Sequence, residues 1–178
     1  SGVILTSNDG STWTSRTGGE GTMLEGATFG NSTFVVVGCC GKIYTSSNGT
    51  TWTSRTSGVN TGAGFQGVTY GNSKFVTLGD GGIILTSSDN GTTWTSRTSG
   101  TSQTLRDGAY GNSTWVAVGQ SGTILTSSDG TSWTSRTSGS TESLNGATYE
   151  NDTFMVVGES GTILTSSDGI TWSARTSG

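Results

Sequence analysis

Short apolar runs recur at a regular interval along the chain, each flanked by segments rich in glycine, serine, threonine and asparagine. The runs are FVVVG at 34–38, FVTLG at 75–79, WVAVG at 115–119 and FMVVG at 154–158. Uninterrupted apolar runs of this length are typical of strands that are buried on both faces. The pattern therefore predicts a β-rich core that is divided among repeated units.

One complete unit, residues 105–139, divides into four strands. We predict these strands at 105–110, 114–118, 123–127 and 132–137. Asparagine, aspartate and glycine occupy the intervening turns, where they adopt positive φ at little cost. Four short strands joined by such turns form an antiparallel meander.

A tryptophan closes nearly the same phrase five times, at 6–13, 45–52, 86–94, 126–133 and 165–172, so that successive tryptophans are 39 or 42 residues apart. We call these segments the Asp–Trp turns. A strand-rich repeat of this length is typical of propeller blades. The sequence thus predicts a single all-β domain, a β-propeller of four-stranded antiparallel blades, with four full blades after an N-terminal half blade. The predicted bounds are 1–17 for the half blade and about 18–57, 58–99, 100–138 and 139–178 for the blades.

The Asp–Trp turns are predicted to have a structural role. The Asp-Gly step supplies the positive φ of a tight hairpin, and the carboxylate accepts hydrogen bonds from the turn amides. The indole then packs against the preceding hairpin and holds the unit together. The residues expected to act in this way are Asp9, Trp13, Asn48, Trp52, Asp89, Trp94, Asp129, Trp133, Asp168 and Trp172.

The segment at 87–94, SSDNGTTW, matches the Asp-box pattern S-x-D-x-G-x-x-W in full, and the other four copies have one residue fewer between the Asp or Asn and the Trp. The chain resembles the bacterial neuraminidase-type (BNR, Asp-box) repeats, in the version found in secreted and surface proteins. This resemblance covers essentially the whole chain and implies a propeller. It implies no single function, since Asp-box propellers serve as glycosidases, lectins, assembly factors and scaffolds.

A sialidase-like hydrolase is the enzymatic hypothesis that this resemblance raises. Such enzymes use three arginines, a tyrosine nucleophile with a glutamate, and an aspartic acid, all spread over six blades. Here only Arg106 is irregular, and there is no Arg-Ile-Pro motif, no proline and no histidine. We therefore expect no catalytic residue, no cofactor and no metal site. The remaining arginines share one repeat position, which indicates a structural role: Arg16, Arg55, Arg97, Arg136 and Arg175.

Composition restricts the partners and the location. Only 11% of the residues are charged, the net charge is −4, and there is no basic cluster, which argues against binding to nucleic acid or to an anionic membrane. No stretch approaches the roughly 18 apolar residues of a membrane span. The chain begins at Ser1 without a signal segment, so we expect a processed protein or a fragment. A polar surface poor in lysine predicts an extracellular or cell-surface protein.

Two kinds of modification are candidates. A vicinal disulfide or an interchain bridge could form at Cys39 and Cys40, the only cysteines, or both could stay free thiols in place of ordinary turn residues. Five Asn-x-Ser/Thr sequons would accept glycans in a host that makes them, although a repeat rich in serine and threonine also generates this motif by chance. The sequons are at Asn31, Asn48, Asn90, Asn112 and Asn151.

The two halves of the repeat are unequal in number. The half that contains the third and fourth strands occurs five times, and the half that contains the first and second strands occurs four times. The extra half leaves an unpaired strand edge and an uncovered apolar face, which favour pairing with another chain. We expect copies of the protein to associate into a multi-chain ring or, where the contacts do not close, a filament. The alternative is a piece of a longer propeller.

Differences between the units cluster in two connections, the loop from the fourth strand to the next first strand and the turn from the second strand to the third. In a meander both lie at the end opposite the Asp–Trp turns, and we call this end the variable rim. The rim is the basis of an alternative function, a lectin-like propeller that binds glycans or another surface protein. Drift of exposed loops explains the same variation, and because the rim differs from blade to blade we favour the structural, self-associating module. The candidate binding residues are Glu20, Asp80, Arg106, Asp107, Gln120, Glu142 and Glu159.

Overall fold

The computed structural model describes residues 2–18, 21–59 and 62–176, which form antiparallel strands and two short 3₁₀ turns. An N-terminal hairpin consists of β1 (Ile4–Thr6) and β2 (Thr14–Arg16). Blade I consists of β3 (Leu24–Gly30), β4 (Thr33–Gly38), β5 (Lys42–Ser46) and β6 (Thr53–Arg55). Blade II consists of β7 (Phe65–Gly71), β8 (Lys74–Gly79), β9 (Ile84–Ser87) and β10 (Thr95–Arg97). Blade III consists of β11 (Leu105–Gly111), β12 (Thr114–Gly119), β13 (Ile124–Ser127) and β14 (Thr134–Arg136). Blade IV consists of β15 (Leu144–Glu150), β16 (Thr153–Gly158), β17 (Ile163–Ser166) and β18 (Ser173–Arg175).

Each blade is a four-stranded meander in which every strand pairs with the next one along the chain. The N-terminal hairpin is a separate two-stranded sheet, and within the described part of the chain β1 pairs on one side only, with β2. The all-β fold of four-stranded antiparallel sheets is therefore confirmed. In blade III the fourth strand begins at Thr134, two residues later than predicted, because Ser132 and Trp133 still belong to the turn.

The blades pack on one another through their first strands, with β3 against β7, β7 against β11 and β11 against β15. We call the face of a blade that meets the following blade its forward face, and the opposite face its backward face. Alternate residues of the second strand point to the same face, and at each boundary two of them form a forward pair. The forward pairs are Val35 and Val37 in blade I, Val76 and Leu78 in blade II, and Val116 and Val118 in blade III.

Each forward pair is buried against apolar side chains from the next blade. Between blades III and IV, for example, Val116 and Val118 join Leu144, Phe154 and Leu164 in one cluster. A cluster of the same kind lies at each of the two earlier boundaries. The core is thus divided into layers between sheets, and a blade is fully covered only where it has a neighbour on both sides.

A glycine at the end of the first strand is required by the neighbouring blade. A Cβ at Gly30 would overlap the ring of Tyr70, and the same relationship holds for Gly71 with Tyr110 and Gly111 with Tyr149. These aromatic rings therefore lie directly on the backbone of the preceding blade. Blade IV carries Glu150 at the equivalent position.

None of the described residues belongs to a helix that is long and apolar enough to span a membrane.

Candidate functional site

A set of hydrogen bonds that recurs from unit to unit holds each Asp–Trp turn, and it is described here for blade III. The Ser127 hydroxyl donates to Asp129 Oδ1 at 2.9 Å, and the same oxygen accepts from the backbone N–H groups of Thr131 at 2.7 Å and Ser132 at 2.9 Å. The indole N–H of Trp133 donates to the carbonyl of Gly130 at 3.2 Å. The carboxylate and the indole thus satisfy polar groups of their own turn, and their geometry is that of a local staple.

These hydrogen bonds lower the pKa values of the turn aspartates. The pKa of Asp129 is lowered because the Thr131 hydroxyl and the Ser132 amide donate to its carboxylate. Burial acts in the opposite direction at Asp89, but hydrogen bonds from Thr93 and its neighbours outweigh it and lower that pKa to about 2. Donation from backbone amides lowers the pKa values of the remaining two, Asp9 and Asp168. In blade I, Asn48 Oδ1 accepts the same two amide hydrogen bonds without a charge.

The repeated arginines bind within their own sheets. In each case the guanidinium Nε donates to a threonine hydroxyl across the third and fourth strands, at 2.7–2.9 Å. This contact explains why the arginine is copied in every unit. The pairs are Arg16 with Thr6, Arg55 with Thr45, Arg97 with Thr86, Arg136 with Thr126 and Arg175 with Thr165.

The two connections of the variable rim lie side by side. The backbone N–H of Gln120, in a second-to-third strand turn, donates to the carbonyl of Thr104 at 3.0 Å. Two residues later, the N–H of Gly122 donates to the carbonyl of Glu142 in the loop that enters the next blade, at 2.8 Å. This turn therefore links the loop that enters its own blade to the loop that enters the next blade.

Most candidate side chains on the rim are engaged by the protein itself. The Asp80 carboxylate accepts from the backbone N–H of Gly64 at 2.9 Å and from the Gln66 amide at 3.1 Å. Gln120 Oε1 accepts from the Thr104 amide at 3.4 Å, and Glu142 accepts from the Ser160 hydroxyl at 3.0 Å. Glu159 begins a 3₁₀ turn, and Glu20 lies outside the described residues.

Arg106 and Asp107 lie in the first strand of blade III and join it to blade IV. The Arg106 guanidinium donates to the side-chain oxygen of Asn145 at 2.9 Å. Asp107 accepts from its neighbour Gly108 at 2.8 Å and from the backbone N–H of Ala147 at 3.0 Å. Burial raises the pKa of Asp107, and these two amides partly offset the effect. Both residues therefore act between blades, and the rim does not gather the candidate residues around one cavity.

The two cysteines are free thiols, so the candidate vicinal disulfide is not formed. The Cys40 thiol donates to Cys39 Sγ at 3.2 Å, and the pKa of Cys40 is raised by this hydrogen bond and by burial. Cys40 adopts positive φ, as do Ser121 and Ser160 in the same turn of other blades, so the pair replaces ordinary turn residues. The asparagines of the five sequons are all exposed: Asn31, Asn48, Asn90, Asn112 and Asn151.

The forward face of blade IV is uncovered. Met155 and Val157, which form its forward pair, are 43% and 44% exposed, whereas the equivalent Val116 and Val118 of blade III are 1% and 0% exposed. Ile163 on the adjacent strand is only half-buried, although its counterparts in blades I to III are fully buried. The apolar surface that a following blade covers in blades I to III is therefore exposed to solvent in blade IV.

The opposite end of the molecule is uncovered on the backward face of the N-terminal hairpin. Trp13 is 58% exposed and Leu5 is 50% exposed, whereas the equivalent tryptophans of blades I to IV are half-buried. The forward side of this hairpin is packed against blade I, where Ile4 is buried. The hairpin thus presents to solvent the side chains that a preceding blade would cover.

An apolar groove runs along the unpaired edge of β1. It lies between the N-terminal hairpin and the backward face of blade I, has a volume of about 560 Å³, and is lined by Leu5, Ala27, Phe34 and Val36 among others. Phe29 next to it is exposed, although the equivalent Tyr70, Tyr110 and Tyr149 lie on glycines of a preceding blade. The groove lies at the place that the first and second strands occupy in blades I to IV.

Neither a protein-family model nor a curated protein sequence matches the chain. Solved structures do match. YCF48 bound to D1 peptide is 18% identical with a TM-score of 0.70 over 96% of this chain and 59% of that one. YCF48 from Cyanidioschyzon merolae is 17% identical with a TM-score of 0.66 over 87% and 56%, and the Pan2 WD40 domain of Neurospora crassa is 12% identical with a TM-score of 0.69 over 87% and 49%. The fold is therefore that of a β-propeller.

The chain spans less than two thirds of the length of these propellers. The similarity of these structures to the chain shows the fold alone. The Asp-box repeat type is a resemblance in sequence.

Proposed function

We propose that this protein is a non-enzymatic structural module that associates with copies of itself, head to tail, through its two uncovered faces. The observation that carries the proposal is the exposure of matching surfaces at opposite ends, Met155 and Val157 at one end and Leu5 and Trp13 at the other. In the proposed contact the N-terminal hairpin of one copy lies on the forward face of blade IV of the next. Burial of apolar surface that is otherwise exposed to water would stabilise the association.

The internal boundaries supply a template for this contact. A Cβ at Gly169, in the turn of blade IV, would lie 3.2 Å from Val116 of blade III, so this turn sits on the forward pair of the preceding blade. The equivalent Gly10 has nothing within 4 Å of such a Cβ. Between copies, Gly10 would lie on Met155 in the same way.

Polar groups at the same boundary give the contact a register. Asn112 of blade III donates to the carbonyl of Ser167 in the turn of blade IV at 3.4 Å. Asn151 and Asn8 occupy the equivalent positions at the two ends of the molecule. We expect Asn151 of one copy to donate to the Asn8 carbonyl of the next.

Glu150 is also compatible with this partner. A complete blade that carried a first-strand tyrosine would place its ring against the Cβ of Glu150, as the glycine contacts at the other boundaries indicate. In the described residues the N-terminal hairpin consists of β1 and β2, and neither strand brings such a ring. The head-to-tail contact is heterologous, so it closes into a ring or extends as a filament according to the rotation between copies.

The absence of catalysis and the extracellular or cell-surface location are parts of the same proposal. The first is supported by the engagement of the repeated arginines with threonine hydroxyls of their own sheets. The second is supported by the low fraction of charged residues and the exposed sequons. Binding of a peptide or another protein is a second candidate function. It is favoured by the groove along β1 and by one structural neighbour, YCF48, whose structure contains a bound D1 peptide.

Light scattering coupled to size-exclusion chromatography at several concentrations tests self-association. We expect the mass to increase with concentration, and Val157→Asp, which places a charge at an exposed position of the forward face, to shift the protein to the monomer. Ile170→Asp is the matched control, because Ile170 is 50% exposed but lies in the Asp–Trp turn. A monomer at every concentration, or an equal effect of both substitutions, contradicts the proposal.

A further inference from the structure

We propose that the groove along β1 binds a β-hairpin of the kind that forms the first two strands of this repeat. The inference rests on the groove and does not require self-association. In blades I to IV the third strand pairs with the second strand on one side and the fourth on the other. Among the described residues β1 pairs with β2 alone, the equivalent of the fourth strand, so its other edge is open to strand addition.

The repeat specifies the chemistry of the hairpin. In blade III, Val118 pairs with Ile124 and Ala117 with Leu125, so the second strand of a bound hairpin would place these residue types opposite Ile4 and Leu5. Its forward pair would then lie on the backward face of blade I. At the other boundaries this place is filled by valine or leucine packed on the aromatic residue of the next second strand, here Phe34, which lines the groove.

Phe29 adds a specific requirement at the end of the first strand of the hairpin. Its counterpart Tyr70 lies where any Cβ at Gly30 would be, so the bound hairpin must carry glycine at this position. The chain itself contains both alternatives, because the hairpin at 65–79 has Gly71 there and the hairpin at 144–158 has Glu150. The two segments provide a binding peptide and a natural control of the same length.

Fluorescence anisotropy with labelled synthetic peptides, titrated with the full chain at a concentration where light scattering shows a single species, tests the inference. We expect the peptide of residues 65–79 to bind saturably, and its Gly71→Glu variant and the peptide of residues 144–158 to bind at least about tenfold more weakly, which corresponds to about 1.4 kcal/mol. The Glu150→Gly change in the second peptide should restore binding. An isolated hairpin is at best marginally stable in water, so part of the binding free energy is spent on ordering it.

A substitution in the protein distinguishes binding of the peptide in the groove from non-specific binding elsewhere. We expect Phe29→Ala, at an exposed side chain, to reduce the preference for glycine over glutamate in the peptide. Circular dichroism of this variant checks that it remains folded. Failure of the 65–79 peptide to bind, or equal binding of the glycine and glutamate peptides, overturns the inference and leaves the self-association measured by light scattering unaffected.

Discussion

Asp107 of blade III accepts a hydrogen bond from the backbone N–H of Ala147 in blade IV, at 3.0 Å between Oδ2 and the nitrogen. The other three blades have glycine at this position, Gly26, Gly67 and Gly146. A Cβ at Gly67 would approach the carbonyl of Arg106 to 2.7 Å, whereas a Cβ at Gly146 would lie 3.3 Å from the Val157 side chain and 3.9 Å from the Asp107 carboxylate. The boundary between blades III and IV thus combines a carboxylate on one side with a glycine opposite it.

The first prediction concerns the pH dependence that Asp107 confers. Burial raises the pKa of Asp107 in the folded protein above the ordinary value of 3.8. The contribution of its neutral carboxyl to the free energy of unfolding is therefore complete below pH 3.8 and is lost as the pH rises through the folded-state pKa. Asp107→Asn stays neutral and keeps a side-chain oxygen for Ala147. We therefore expect this variant to gain free energy of unfolding relative to the wild type from about pH 3 to pH 7, by about 1.4 kcal/mol for each unit of the raised pKa.

Urea denaturation at several pH values measures this difference. Asp107→Gly is the control, because it introduces the residue of the other blades and removes the acceptor of the Ala147 amide. We expect it to be less stable than Asp107→Asn at every pH, by about 1–3 kcal/mol for an amide left without a partner. A constant difference between Asp107→Asn and the wild type across the range would show that Asp107 does not titrate abnormally.

The second prediction has the opposite sign and concerns the turn aspartates. The pKa of Asp129 is lowered in the folded protein, so its stabilising contribution is present above pH 3.8 and is lost as the pH falls. Asp129→Asn should preserve the turn, as Asn48 does in blade I, and leave the melting temperature nearly unchanged at pH 7. It should also move the midpoint of acid unfolding to lower pH.

Circular dichroism melts between pH 2 and 7 provide the measurement. Asp129→Ala removes the acceptor for the Thr131 and Ser132 amides, and we expect it to lower the melting temperature at all pH values. Equal acid midpoints for the wild type and Asp129→Asn would contradict the second prediction.

The sequence predicted the repeat, the strands and the turn chemistry because these features are local. The staple around Asp129 uses residues within six positions of one another, and nearly the same residues recur in every unit. Counting half units also predicted the uncovered apolar face of the N-terminal hairpin, where Leu5 and Trp13 are exposed. In contrast, the roles of Arg106 and Asp107 depend on Asn145 and Ala147, about 40 positions away in the adjacent blade. The sequence predicts both as candidate binding residues of the rim, and the structure shows that each also contacts the adjacent blade.

The third prediction tests the glycine contacts at the blade boundaries. Gly71→Ala should destabilise the protein by about 1–3 kcal/mol or more, because the added methyl group overlaps the ring of Tyr110. Glu150→Ala is the matched control at the equivalent position of blade IV, which no following ring covers, and we expect a change within about 0.5 kcal/mol. Chemical denaturation of both variants at neutral pH checks the difference. Comparable losses would mean that Gly71 is needed for another reason.

The last prediction concerns Trp115, the aromatic residue of the second strand in blade III. Its side chain is buried, and its indole N–H is the one buried side-chain polar atom in the described part of the chain that has no hydrogen-bond partner. The other blades carry phenylalanine at this position, Phe34, Phe75 and Phe154.

Trp115→Phe removes an unpaired donor whose burial costs about 1–3 kcal/mol, and this gain opposes the loss of packing from a smaller ring. We expect the free energy of unfolding to stay within about 1 kcal/mol of the wild type, whereas Trp115→Ala should lose about 3–5 kcal/mol. Equilibrium unfolding in urea compares the three proteins, and a loss for Trp115→Phe close to that for Trp115→Ala would contradict the prediction.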